Sequence, residues 1–110
     1  MTYRSLKLTE RQWQDQILEA ADKLGWYRHH DHDSRKQDWR ADSGFPDLVL
    51  AKDGRIIFAE LKTAKGRITP EQQAWLAHLG GNNPIGPSEG VEIYVWRPDD
   101  WPEVERVLKG

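Results

Sequence analysis

Apolar positions recur at helical spacing near the start of the chain, where Trp13, Ile17, Ala20, Ala21 and Leu24 fall on one face. Thr9 is placed to cap that helix and Gly25 to end it, so the pattern predicts an amphipathic helix over 10–24. The period then changes. Trp26 to His30 reads as a short strand, and Asp31 to Gly44 as an exposed loop, polar and without periodicity. Two apolar runs, Asp47 to Ala51 and Arg55 to Thr63, flank Lys52-Asp-Gly54 and predict a hairpin, because Asp-Gly favours a tight turn. Thr69 caps a second helix with Pro70 at its first position, running to Leu79 before Gly80-Gly81. Asn82 to Gly90 reads as a loop, Val91 to Arg97 as a strand, and Asp100 to Leu108 as a terminal helix with Pro102 in its first turn. The order is α-β-β-β-α-β-α, with no repeat, low-complexity tract or linker, so residues 1–110 are expected to form one α/β domain.

Composition narrows the chemistry. The chain's 110 residues allow a modest core and a single active site. Sixteen Lys and Arg against 18 Asp and Glu give a net charge of -2, so any surface for a polyanion must be local. The absence of cysteine excludes disulfides, thiolate ligands and cysteine nucleophiles. Neither a membrane-length apolar stretch nor a signal-peptide pattern is present, and a soluble cytoplasmic protein is expected. Of the six tryptophans, Trp13, Trp26, Trp75, Trp96 and Trp101 lie beside apolar positions and read as core anchors.

The hairpin carries the candidate chemistry. Alternation along a strand puts Phe58, Glu60 and Lys62 on one side and Ala59 and Leu61 on the other. An antiparallel partner can bring Asp47 beside Glu60, with the register deciding the distance. Two carboxylates on one face repel unless a cation neutralises them, and oxygen ligands favour Mg2+ or Mn2+ over zinc. The competing reading is that Asp47 caps the turn while Glu60 and Lys62 are ordinary exposed strand charges.

Gly44-Phe-Pro-Asp47, Glu60-Leu-Lys62, Lys65-Gly-Arg67, Thr69-Pro-Glu-Gln72 and a closing strand ending Val95-Trp-Arg-Pro98, all following Glu10 in the first helix, together resemble the PD-(D/E)xK nuclease superfamily. Within it they are most similar to the small VRR-NUC domains of phages and larger repair enzymes. The resemblance implies a restriction-endonuclease-like core, a central mixed sheet flanked by helices. It further implies that Asp47, Glu60 and the Leu61 carbonyl ligate Mg2+ or Mn2+, and that Lys62 holds or activates the attacking water. Glu10 would add a ligand directly or through water; Glu19, nine residues on and half a turn away, is the competing acid. Gln72 would position Lys62, water or phosphate, with Gln73 as its alternative.

Several segments carry secondary expectations. Lys65, Gly66 and Arg67 are candidates for holding DNA phosphates, with Gly66 permitting close approach. Arg28 to Lys36, including three histidines, Arg35 and Lys36, reads as a DNA-facing loop, as a solvated loop of locally paired charges, or more weakly as a zinc site. Lys7, Arg4 and Arg11 either extend a basic edge or are ordinary surface charges. The function expected from the resemblance is a DNA endonuclease acting on branched substrates such as Holliday junctions, as a homodimer in a bacterial or phage-infected cell. The alternatives are flap or nonspecific cleavage, and a DNA-binding module of the same fold without turnover.

Overall fold

In the computed structural model, residues 8–30, 44–80, 86–88 and 90–110 are described, with backbone alone for 86–88. Three helices and five strands occur among them: α1 (Glu10–Lys23), β1 (Tyr27–His30), β2 (Leu48–Lys52), β3 (Arg55–Leu61), α2 (Pro70–Gly80), β4 (Gly86–Ser88), β5 (Val91–Trp96) and α3 (Trp101–Lys109). A short 3-10 turn, Pro98–Asp100, leads into α3. The predicted elements are all present, with ends shifted by one or two residues. One strand is additional: β4 falls inside the segment read as a loop, since Gly-Pro-Ser carries no strand signal of its own and pairs as a sheet edge.

The sheet order is β1-β2-β3-β5-β4, antiparallel except for the central β3–β5 pair. The hairpin turn is built as the Asp-Gly dipeptide suggests, with Asp53 at φ 50° and Gly54 at φ 82°. Side chains alternate across the sheet and are covered on both faces. On one face, Leu48, Leu50, Ile57, Ala59, Leu61, Tyr94 and Trp96 join Trp13, Ile17, Ala21, Val104 and Leu108 from α1 and α3 in one core cluster. On the other, Phe58 meets Phe45 edge-on at 6.1 Å and Phe45 meets Trp75 of α2 at 4.9 Å, while Leu76 and Ile93 are buried outside the first cluster.

The tryptophans act as anchors in two ways. Trp13 and Trp26 are buried and donate their indole N–H groups to the carbonyls of Trp96 and Leu108, which ties α1 and the start of β1 to the far end of the chain. Trp75 is half-buried and orders Phe45. No helix among the described residues is long and apolar enough to cross a membrane.

Candidate active site

The register Leu48 opposite Ala59 places Asp47, one residue earlier, beside Glu60, one residue later. Three local features fix Asp47 there. Gly44 has φ +88°, open to glycine at little cost, and a Cβ at that position would lie 2.5 Å from the Glu71 carbonyl carbon and 2.7 Å from Gln72 N. The chain therefore passes directly against the first turn of α2. Phe45 is held between Phe58 and Trp75, and Pro46 is buried. Asp47 Oδ2 then accepts a hydrogen bond from Leu61 N–H at 2.9 Å, joining the two strands where the hairpin opens.

Glu60 and Lys62 are not the exposed strand charges of the competing reading. Glu60 is 1 % exposed and Lys62 9 %, because α2 covers the sheet face on which they stand. Lys62 lies just past the last residue of β3, yet its N–H still donates to Trp96 O at 3.1 Å. Its ammonium sits 3.5 Å from Glu60 Oε2. The same oxygen accepts from Gln72 Nε2 at 2.8 Å. Gln72 is fixed by its own helix: its Oε1 accepts from Thr69 N–H at 2.9 Å while its N–H donates to Thr69 Oγ1 at 3.1 Å, a reciprocal cap at the start of α2. Gln73, the alternative, is exposed.

Glu60 Oε1 is buried, and no N–H or ammonium among the described residues donates to it. A carboxylate oxygen in that condition carries an unrepaid desolvation cost. The Glu60 carboxyl is accordingly pushed up to about 8, first by burial, next by the negative charge of Asp47, with the Lys62 ammonium opposing and a carboxyl–carboxyl hydrogen bond to Asp47 adding to the rise. Glu10 is drawn into the same field. Its carboxyl is raised by burial and by Asp47 and lowered by Lys62, so it stands within electrostatic reach of both. The bond from Trp13 to the Trp96 carbonyl explains this placement, because that carbonyl also receives the Lys62 N–H and Glu10 lies one turn before Trp13. Glu19 is exposed farther along α1.

The donor set is all oxygen: two carboxylates and, at the adjoining residue, the Leu61 carbonyl. An uncoordinated buried carboxylate oxygen facing a second acid is the chemistry a hard divalent cation relieves, so these residues fit such an ion. Among the described residues no group of three or more His, Cys, Asp or Glu side chains is assembled as a metal cage, so the site offers two acids and leaves other positions to main chain, water and phosphate.

Beyond Lys62, the chain turns through Thr63 to Gly66. Lys65 and Arg67 are exposed and make no hydrogen bond or ion pair with another described residue. Arg35 and Lys36 lie outside the described residues, as does most of the histidine segment. One side chain that the pattern of residues did not single out for a role is Arg97, which reaches back from the end of β5 to the turn after Lys62.

An acid before a hairpin, a Glu-x-Lys at its far end and a helix supplying glutamine stand together on a mixed sheet with helices on both faces, a restriction-endonuclease-like fold. The VRR-NUC domain family model matches residues 4–97, and the chain belongs to that family of PD-(D/E)xK nuclease-type domains. Domains of this superfamily generally use divalent metals and act on DNA. No curated protein and no solved structure matches the chain.

Proposed function

We propose that the protein is a Mg2+- or Mn2+-dependent DNA endonuclease, cutting branched DNA such as four-way junctions as a homodimer. The observation that carries the catalytic part is the buried Glu60 carboxylate beside Asp47, with one oxygen that no N–H or ammonium donor among the described residues reaches. Binding DNA alone gives no reason to bury one acid beside a second, half-buried one, since phosphate repels them.

Asp47, Glu60 and the Leu61 carbonyl would hold the metal, with Glu10 contributing at the rim directly or through water. When bound, a divalent ion polarises the phosphodiester and lowers the pKa of a water molecule. Asp47 is oriented for this by the Leu61 N–H, and Glu60 by Gln72 and Lys62, which both act on Oε2 and leave Oε1 available. Lys62 donates from its ammonium toward the attacking water or a phosphate oxygen, countering charge that develops in the transition state. Gln72 is a positioning residue, holding the Glu60 carboxylate through a side chain that its helix cap has already fixed. Lys65 and Arg67 add salt-sensitive phosphate contacts at the turn, with the Gly66 backbone between them, and Arg35 and Lys36 extend that surface. The bond cleaved is P–O3′, with water adding to phosphorus and a proton passing to the departing 3′ oxygen.

The test is cleavage of labelled four-way junctions, flaps, single strands and duplex with Mg2+ or Mn2+, alongside Asp47→Ala and Lys62→Ala. Metal-dependent cutting, best on junctions and abolished in both folded variants, is expected. Undiminished cutting by both variants would overturn the assignment, and binding without cleavage under either metal would leave a binding module. Light scattering with and without junction DNA checks the dimer.

A further inference from the structure

We infer that Arg97 is a positioning residue for Lys62, acting through the turn that follows it; the consequence for catalysis rests on the nuclease reading above. Arg97 is anchored before its side chain does anything. Its backbone N–H donates to Asp100 Oδ2 at 2.9 Å, and its carbonyl accepts from Asp100 N–H at 2.7 Å, so the residue leaving β5 is fixed by the turn that starts α3. From that point one guanidinium nitrogen, Nη1, donates to two carbonyls: Thr63 O at 2.8 Å and Gly66 O at 2.7 Å.

Those carbonyls are the two ends of a single turn, since Gly66 N–H also bonds to Thr63 O at 3.3 Å. The turn lies on the Lys62 side chain. A Cβ at Gly66 would stand 3.4 Å from Lys62 Cδ and 3.1 Å from Thr63 Oγ1, so residue 66 lies beside the aliphatic stem with little room between them. Arg97 thereby closes a short chain of contacts from the end of β5, through the 63–66 turn, to the stem of the buried lysine. Its neighbour Trp96 holds the Lys62 N–H. One pair of consecutive residues thus fixes the lysine's backbone and the cover of its side chain.

The turn needs such a clamp. Residues 62 to 69 belong to no helix or strand, and a cationic partner is suited to carbonyls that no ladder satisfies. Without it, the turn lifts, water reaches the Lys62 stem, and the ammonium loses its fixed distance to Glu60. Misplacement of about 1 Å in such a group is worth on the order of a hundredfold in rate.

The experiment compares Arg97→Ala, Arg97→Lys and Gly66→Ala with wild type. Lysine acylation followed by mass spectrometry measures the exposure of Lys62, with Lys52, which adjoins the hairpin turn and is bound to Leu24 O, as internal reference. This arm needs no DNA. Steady-state cleavage then separates kcat from KM, and junction affinity is measured without metal. In Arg97→Ala, Lys62 labelling relative to Lys52 is expected to rise by roughly tenfold and kcat to fall ten- to hundredfold, with affinity within about twofold of wild type. Arg97→Lys, whose ammonium can reach the same carbonyls, is expected to recover most of both. Gly66→Ala, which crowds the stem while leaving Arg97 in place, lowers kcat and keeps the protein folded, so the inference stays testable if Arg97→Ala does not fold. Unchanged Lys62 labelling in folded Arg97→Ala overturns the inference; so does a raised KM with unchanged kcat, which makes Arg97 a phosphate contact. If wild type cuts no DNA, the nuclease reading fails, while the labelling still decides whether Arg97 positions Lys62.

Discussion

Two glutamates are buried on the paired parallel strands at the centre of the sheet, on opposite faces, and they have opposite electrostatic fates. Glu92 on β5 faces α3. Arg55 donates to both of its oxygens, at 2.7 and 2.9 Å, and Tyr94 Oη adds a third bond at 2.9 Å. Arg55 is itself completed by the Val107 carbonyl and stacks 5.0 Å from the Trp26 ring centre. The Glu92 carboxyl is held below its ordinary value, chiefly by the bond from Arg55. Glu60 on β3 faces α2, shares one oxygen between Gln72 and a more distant lysine, and has for the other no N–H or ammonium donor among the described residues; its carboxyl is pushed up to about 8. One glutamate has been given everything it needs to be charged in the fold. The other has been left short, beside a second acid, which is the condition under which a cation from outside the chain binds.

The largest test of that difference is to neutralise each. Glu60→Gln keeps the shape and removes the charge that would hold metal, so cleavage is expected to fall by a thousandfold or more, on the order of 4 kcal/mol in the barrier, while the folded state is preserved. Asp47→Asn behaves alike in kinetics. Glu92→Gln is the converse. It strands the Arg55 guanidinium among Trp26, Tyr94 and α3 and is expected to destabilise the protein by roughly 3 kcal/mol in urea unfolding, with kcat per folded molecule unchanged. Loss of activity without loss of stability in Glu92→Gln would erase the distinction between the two residues.

A smaller effect separates the two helix starts. Thr9 and Gln12 form the same reciprocal cap on α1 that Thr69 and Gln72 form on α2. Only the second glutamine also touches Glu60. Gln12→Ala and Gln72→Ala should each cost about 1 kcal/mol of stability, but Gln72→Ala alone should lower cleavage, by roughly ten- to a hundredfold. Equal activity losses in the two variants would show that the cap, rather than the amide on Glu60, is what matters.

The two glutamates also show which parts of the molecule were legible in the sequence. The hairpin was, because Asp53-Gly54 is a local turn signal between two apolar runs, and so were the helices, whose caps and periodicity are written within a few residues. Asp47 beside Glu60 was legible only as one outcome of the hairpin, with the register left to decide it. The burial of Glu60 and Lys62 was not legible, since it depends on α2 returning over that face, and the Glu-x-Lys spacing reads equally well as a solvated edge. Glu92 gave no sign. Val91-Glu-Ile93 looks like an ordinary alternating strand, and its partner Arg55 lies 37 residues away, joined only by the parallel pairing of β3 with β5. Arg97 is hidden for the same reason, its partners being 31 and 34 residues upstream across that pairing.

One measurement reads both glutamates together, through the pH dependence of stability in metal-free protein. Glu60 has an unfolded value near 4.5 and a folded value of about 8, so between these the native state binds a proton that the unfolded state releases. Stability from this site is therefore full below about pH 4.5 and lost progressively as pH rises toward 8, and the raised Glu10 contributes in the same direction. Glu92 works oppositely. Its folded value is depressed, so its contribution is present above about pH 4.5 and is lost as pH falls below it. Urea unfolding in a chelator is expected to weaken between pH 5 and pH 8, Glu60→Gln to remove most of that slope, and Glu92→Gln to leave it. Saturating Mg2+ or Mn2+ at pH 8 should restore stability to wild type and not to Glu60→Gln, because the ion takes the place of the proton on the same carboxyl. A slope that survives in Glu60→Gln would place the proton elsewhere and end the contrast between the two faces of the sheet.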